Sequence, residues 1–419
     1  MPASNRRGFL AGAGALALAR PALAQGAAGR VVVIGGGFAG ATAARFVKAL
    51  DPRVSVTLIE PSPTFTACPF SNEVIVGLRE LSAQQFGYDG VRRAGVAVVH
   101  ALAIGVFPDS QVVEAYGGAR FEYDRLVIAP GVDIDWGKLP GYDEKAATAM
   151  PHAWKAGDQT TLLRRQLESM DDGGVVVISA PANPYRCPPG PYERASLIAW
   201  YLKAKKPKSK LLLLDAKDAF SKQKLFQNAW KALYPNLEWV PLASGGKVVS
   251  VDRATRTFET EFGTHKADVG NVIPPQKAGA IAAIAGVADR TGWCPIDPVT
   301  FESRLRPKIH VIGDAAIAGA MPKSAFAANA QAKACAAAIV DLLAGREPPE
   351  PRLINTCYSV AAPDYGFSVA GVYRPVKGQL LDVEGAGGTS PLDAPASTRE
   401  QEARLANGWF RTITGEVFG

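Results

Sequence analysis

The chain has 419 residues and carries 46 lysines and arginines against 39 aspartates and glutamates, a formal net charge of +7. Hydrophobic residues make up 47% and charged residues 20%, which excludes a disordered or acidic-tail protein and leaves apolar material for more than one core. At roughly 100–200 residues per domain the length predicts two or three domains. The five cysteines, none in a Cys-x2-Cys spacing, exclude a disulfide-dense scaffold and a zinc ribbon.

The chain opens with Arg6-Arg7-Gly8-Phe9-Leu10, an Ala/Gly/Leu run and the small-residue site Ala22-Leu23-Ala24. This order predicts an export signal over residues 1–24. Its adjacent arginines resemble a twin-arginine signal, whose route carries proteins already folded around a cofactor. Arg6, Arg7 and Arg20 belong to that segment, so the remaining charge of +4 is too mild to argue for nucleic acid. The expectation is a periplasmic protein in a compartment where disulfides persist. No later segment reads as long and apolar enough to span a bilayer, so no stable membrane insertion is expected.

Arg30–Ile34 is an apolar run that leads into Gly35-Gly-Gly37-Phe-Ala-Gly40 and the helical stretch that follows. This is strand, glycine turn, helix, the dinucleotide fingerprint. Gly35 permits the turn, Gly37 lets a pyrophosphate approach the backbone, and Gly40 lets the helix pack on the strand. The helix N-terminus offers free N–H groups to the phosphates. The next strand ends at Glu60, placed to accept hydrogen bonds from a ribose. Tyr123–Gly131 and Lys308–Asp314 resemble the returning strands of an FAD domain, with Gly313 and Asp314 at the flavin. A helix predicted from near Pro322 would bring Lys323 in its first turn to the flavin, although Lys323 also reads as a solvated lysine.

Between these halves, Gly173–Ser179 opens a second α/β unit, where pyridine-nucleotide reductases carry a second glycine fingerprint. Here the turn is Ala180-Pro-Ala-Asn-Pro-Tyr-Arg-Cys187-Pro-Pro-Gly-Pro191. Proline has no N–H, so this turn is poorly built to cradle a pyrophosphate. Cys187 sits in that turn, and Cys357 follows the proline-rich linker Pro348–Pro351. In an exported chain these two thiols read as a long-range pair, although five cysteines permit many pairings. Cys335 and Cys294 read as core residues. Cys68 falls near the expected flavin ring, with core packing as its other reading.

The strings 187–196 (CPPGPYERAS), 355–359 (NTCYS), 151–157 (PHAWKAG), 271–279 (NVIPPQKAG) and 292–297 (GWCPID) resemble the flavoprotein subunit of flavocytochrome c sulfide dehydrogenases. The likeness includes the stand-alone forms of sulfur-oxidation systems. It implies an α/β, glutathione-reductase-like flavoprotein with two dinucleotide-binding domains and a small C-terminal α+β domain. The FAD-binding domain would comprise 30–140 and 285–347. A nicotinamide-type domain without an NAD site would occupy 141–284, and a cytochrome-facing domain 348–419. The resemblance further implies that Cys187 and Cys357 form a redox-active disulfide, and that Cys68 carries a thioether to FAD. Pro69 and Phe70 depart from the family pattern beside that cysteine. Glu193 and Trp409 fall at positions associated with the active site, Glu193 as a proton relay and Trp409 beside the flavin. Their other readings are a helix first-turn acid and a core aromatic.

The activity implied is oxidation of sulfide to sulfur or polysulfide, with electrons passed to a c-type cytochrome. The haem must belong to a partner chain, because this one has no Cys-x-x-Cys-His. Three alternatives stay open. Sulfide:quinone oxidoreductase shares the flavin and disulfide logic, but residues 391–419 read as charged and interrupted rather than as a membrane-binding helix. A pyridine-nucleotide disulfide reductase conflicts with the proline turn. An accessory flavoprotein would reactivate a sulfur-carrier partner without turning over sulfide.

Overall fold

The computed structural model describes residues 28–419, so the export signal expected over 1–24 lies outside the described residues. The first sheet is built from β1 (Arg30–Ile34), β2 (Ser55–Ile59), β3 (Ala97–Val99) and β4 (Arg125–Ile128), with helices α1 (Phe38–Leu50) and α2 (Ser71–Ile75) between them. β1 is apolar and buried at four of its five residues, which is the signature of a parallel strand covered on both faces. Its turn into α1 is made by Gly35 at φ +98°, a left-handed conformation that favours glycine. A Cβ on Gly40 would stand 1.8 Å from the Gly35 carbonyl oxygen, so only glycine lets α1 lie this close to β1.

The second sheet comprises β5 (Val175–Ala180), β6 (Lys210–Asp215), β7 (Leu237–Val240) and β8 (Val269–Val272). Helices α3 (Gly190–Lys205) and α4 (Gln223–Leu233) connect its strands. The chain then returns through β9 (Ile309–Val311) and α5 (Ala325–Leu343) to the first unit. The two sheets run β9-β4-β1-β2-β3 and β7-β6-β5-β8, all strands parallel within each. Where the chain passes between the units, Val132–Ile134 pairs antiparallel with Gln276–Ala278, so the two crossings lie side by side.

The remaining residues form an antiparallel sheet of β10 (Leu353–Ala362), β11 (Tyr365–Val376) and β12 (Gln379–Asp382), followed by helix α6 (Ala396–Phe418). The tail read as interrupted is thus one continuous helix of 23 residues. It buries Arg399, Ala403, Ala406, Phe410, Ile413, Val417 and Phe418, an i, i+4, i+7 stripe. Phe418 stacks with Phe65 and Phe86 and meets Phe38 and Tyr88, so this helix is sewn into the first unit.

A second expectation also needs correction. α5 has 19 residues and a mean hydropathy of 1.2, long and apolar enough by composition to cross a membrane. In the fold it packs between α1 and β10, burying Ala332, Cys335, Ala336 and Ile339.

Candidate active site

A cavity of about 380 Å³ opens where the three units meet. It is lined at one end by the glycine turn and Glu60, and at the other by Cys187, Cys357 and Glu193. Gly35, Gly37, Cys68, Gly313, Asp314 and Trp409 line it as well. Gly40 stands behind the turn and acts through packing alone. Glu60 accepts hydrogen bonds from the Gly36 N–H at 2.8 Å and the Ser62 N–H at 2.9 Å, which holds its carboxylate at the mouth of the turn.

The residues present suit a dinucleotide with a flavin end. The N-terminus of α1 faces the cavity, where its unpaired N–H groups and dipole favour a phosphate. Asp314 Oδ1 is buried without a hydrogen-bond partner among the described residues, as is Trp154 Nε1, and both side chains border the cavity. A buried orphan acceptor and a buried orphan donor are costly unless a ligand completes them. Burial pushes the Asp314 carboxyl above the usual carboxylate range, opposed by the charges of Arg186 and Lys323.

Lys323 differs from expectation. The helix starts at Ala325, capped by Ser324, whose Oγ accepts from the Ala327 N–H at 3.0 Å. Lys323 therefore precedes the helix and does not line the cavity. Its ammonium donates to the carbonyls of Asp314 and Ala316 at 2.7 and 2.8 Å and lies 4.0 Å from the centre of the Trp293 ring. Burial lowers its pKa to about 8. The cations that do border the cavity are Lys155, Arg186 and Arg194, and Arg186, one residue before Cys187, donates from its guanidinium to the Trp154 carbonyl.

Cys187 adopts φ +58°, and its N–H donates to the Lys323 carbonyl at 2.8 Å. A Cβ on Gly190, the first residue of α3, would stand 3.1 Å from Cys187 Sγ, so glycine makes room for the sulfur at the helix end. Burial pushes the Cys187 thiol up, aided by Glu193 and Cys357 and opposed by Arg186 and Lys222. Cys357 on β10 accepts a hydrogen bond at Sγ from Asn355 Nδ2 at 3.2 Å. The Asn355 carbonyl oxygen is occupied by the Ser324 hydroxyl at 2.6 Å, so the cap of α5 orients the amide toward the sulfur. Both cysteines are free thiols here, as are Cys68, Cys294 and Cys335. Cys294 and Cys335 are wholly buried, and Cys68 Sγ lies 3.7 Å from the Trp154 carbonyl oxygen.

Glu193, in the first turn of α3, accepts from Asn72 Nδ2 at 2.9 Å and from the Val360 N–H at 3.2 Å. Burial raises its pKa. Trp409 of α6 stacks on Phe326 at 6.2 Å and tilts against Tyr358 at 6.0 Å, closing one wall. Pro69 and Phe70, the residues that depart from the family pattern, have a packing role at Phe70. Its ring meets Phe410 at 5.2 Å and lies 4.8 Å from the Arg79 guanidinium.

Sequence reasoning missed Lys222, Arg186, Asn355 and Asn72. Asn355 was within reach, two residues from Cys357 in a quoted string. Lys222 belongs to no motif, and only the fold brings it beside residues more than 130 positions away.

Comparison with known proteins bears on the whole architecture. Residues 29–178 match the pyridine nucleotide-disulphide oxidoreductase profile. Residues 160–274 match the central region of the sulfide dehydrogenase [flavocytochrome c] flavoprotein chain, and 349–418 its flavin-binding region. The solved sulfide:quinone oxidoreductase of Aquifex aeolicus superposes with a TM-score of 0.70 at 19% identity, covering 92% of each chain. The putidaredoxin reductase–putidaredoxin complex gives 0.63 at 17%, covering 91% of this chain and 93% of that one. These likenesses establish the two-dinucleotide-domain fold. The mitochondrial sulfide:quinone oxidoreductase of Mus musculus is 24% identical over 296 residues, 68% of this chain, and the match spans 65% of the mouse protein's length. The sulfide dehydrogenase flavoprotein chain of Chlorobaculum thiosulfatiphilum is 60% identical over 45 residues, 11% of this chain and 94% of that sequence. With that identity and two matching profiles, the chain belongs to the family of flavocytochrome c sulfide dehydrogenase flavoprotein chains.

Proposed function

We propose that this chain is an exported, periplasmic sulfide dehydrogenase that binds FAD in the cavity and delivers electrons to a c-type cytochrome on another chain. The observation that carries the reading is the convergence of Cys187 and Cys357, 170 residues apart, on one cavity with the dinucleotide turn. We assign them to a disulfide that cycles with the two thiols. Hydrosulfide attacks one sulfur of the pair, leaving a persulfide there and a thiolate on the other cysteine. A second hydrosulfide takes the outer sulfur as a disulfane anion and frees the second thiolate. Re-forming the S–S bond releases two electrons, so two hydrosulfides yield one disulfane anion, one proton and two electrons. Bound flavin supplies a two-electron sink that can be emptied one electron at a time.

Glu193 takes the proton in this scheme. Burial keeps its carboxyl basic, while the Asn72 and Val360 donors hold it at the sulfur end of the cavity. Asp314, Glu60 and the glycine turn would hold the cofactor, with Cys68 as its covalent anchor. A protein acceptor fits better than a quinone because the apolar stripe of α6 is spent inside the fold. The accessory reading differs only in turnover, and an inactive pure protein would favour it.

Anaerobic mixing with sulfide and then oxidised cytochrome c tests the reading. Flavin should bleach and then recover as the cytochrome reduces. Cys187→Ser and Cys357→Ser should retain flavin but lose sulfide-dependent bleaching, and unchanged rates would end the disulfide scheme. Acid precipitation should leave yellow flavin on the wild-type polypeptide and none on Cys68→Ala. A colourless wild-type pellet would remove Cys68 as anchor.

A further inference from the structure

Lys222 is a buried cation that the scheme above does not use. It occupies the position before α4 at φ +63° and is only 9% exposed. Its ammonium donates to the Cys357 carbonyl and to Ser359 Oγ, both at 2.7 Å, and lies 5.8 Å from the centre of the Phe367 ring. No carboxylate among the described residues lies within ion-pair distance of it. A buried ammonium with neutral partners leaves its charge uncompensated, which a fold tolerates only where that charge has a use.

The groups facing it come from three elements and the turn before α3. They are Cys357 on β10, Glu193 on α3, Cys187 ahead of α3 and Glu402 on α6. Glu402 is committed elsewhere: it accepts from Ser390 Oγ at 2.5 Å and sits 3.6 Å from Arg399. Glu193 is already engaged by the Asn72 amide and the Val360 N–H. The remaining neighbours are the two sulfurs.

We propose that Lys222 is the fixed positive charge of the sulfur site, a positioning residue that compensates the negative charge left on Cys187 and Cys357 when their S–S bond opens. The proposal rests on the dithiol reading. Asn355 acts in the same sense, since its amide donates to Cys357 Sγ from a geometry locked by Ser324. A sulfur anion in a cavity this enclosed would otherwise be disfavoured by its loss of hydration. Lys222 reaches the pair through the strand that carries Cys357, so it also sets where that sulfur stands.

The test reads thiolate directly rather than turnover. Dithiothreitol-reduced holoprotein is alkylated with iodoacetamide across a pH series and each cysteine is followed by mass spectrometry, because only the thiolate reacts. In Lys222→Met the alkylation of Cys187 and Cys357 near neutral pH should slow about tenfold, with the profile displaced upward by about one pH unit. Lys222→Arg should restore the wild-type profile. Superimposed profiles for wild type and Lys222→Met would overturn the proposal. Equal displacement in Met and Arg variants would also do so, by assigning Lys222 a packing role. Buried Cys294 reports unfolding by becoming reactive. In that event Lys222→Gln, which keeps a donor without the charge, carries the test with the same two outcomes. Failure of the underlying reading is separate: it appears as sulfide-dependent bleaching that survives in Cys357→Ser.

Discussion

Arg194 carries a charge where water does not reach, at 2% exposure. Its Nε donates to Asn72 Oδ1 at 3.0 Å, Nη1 to the His152 carbonyl at 2.8 Å and Asn271 Oδ1 at 3.1 Å, and Nη2 to the Ala153 carbonyl at 2.6 Å. One side chain of α3 thus ties α2, β8 and the 150s loop together in the cavity wall. That arrangement costs His152 its proton. Burial lowers its pKa to about 4, helped by the Arg194 charge, and Nδ1 accepts from the Trp154 N–H at 2.9 Å. Between about pH 4 and 6.5 the folded ring stays neutral while the unfolded chain takes up a proton, so stability should fall as pH drops through that window. The loss should be on the order of 2–3 kcal/mol. Urea unfolding at neutral and mildly acidic pH would measure it, and His152→Asn, which keeps an acceptor near Nδ1, should flatten the dependence. Equal slopes in both proteins would clear His152 of the effect. None of these roles was visible in sequence, because the bond from Arg194 to Asn72 spans 122 residues. The glycine turn and Glu60 were legible because their chemistry is local: a left-handed backbone, a close approach and a strand end.

At the level of elements, parallel strands were legible as unbroken apolar runs, since a strand covered on both faces needs nothing else. α6 was not, and the reason lies in Gly408 and Gly415. Glycine in mid-helix costs about 1 kcal/mol relative to alanine, which sequence reasoning converts into a break. Packing overrides it here, because Phe410, Val417 and Phe418 are buried along one face and repay that cost several times over. The start of α5 was misplaced by three residues for a related reason. Pro322 is a plausible helix start, but Ser324 provides the side-chain cap and sets the boundary at Ala325. That shift moves Lys323 out of the helix and frees its carbonyl to hold the Cys187 N–H. A small boundary error thus changed a residue's role. Gly415 is exposed, and a Cβ there meets nothing within 4 Å. Gly415→Ala should therefore stabilise the protein by about 0.5–1 kcal/mol. A lowered thermal midpoint would show that the helix needs glycine there for a reason other than space.

Across the whole molecule, two copies of one α/β plan have been put to different uses. In the first, the helix N-terminus after β1 faces the cavity, with the Gly35 and Gly36 N–H groups engaged by the Ile59 carbonyl and Glu60 but no proline in the turn. In the second, the corresponding donors after β5 are spent or missing. The Arg186 N–H donates to Gln276 Oε1, the Cys187 N–H to the Lys323 carbonyl and the Gly190 N–H to the Cys187 carbonyl, while Pro188, Pro189 and Pro191 have none. The acid ending β6 is equally committed. Asp215 accepts from Tyr192 at 2.6 Å, Trp239 at 3.1 Å and Lys217 at 2.6 Å, and Phe220 stacks on Tyr192 at 3.5 Å. Asp215 is thus engaged by the chain's own side chains, and the turn after β5 carries Cys187. NADH and NADPH should accordingly fail to bleach the flavin in anaerobic rapid mixing at concentrations where sulfide bleaches it within the mixing experiment. Rapid bleaching by either nucleotide would show that phosphates bind without these donors and would return the chain to the pyridine-nucleotide reductases. Its absence, with sulfide active, would mean that the second domain survives as the mount for one redox cysteine and the buried lysine beside it.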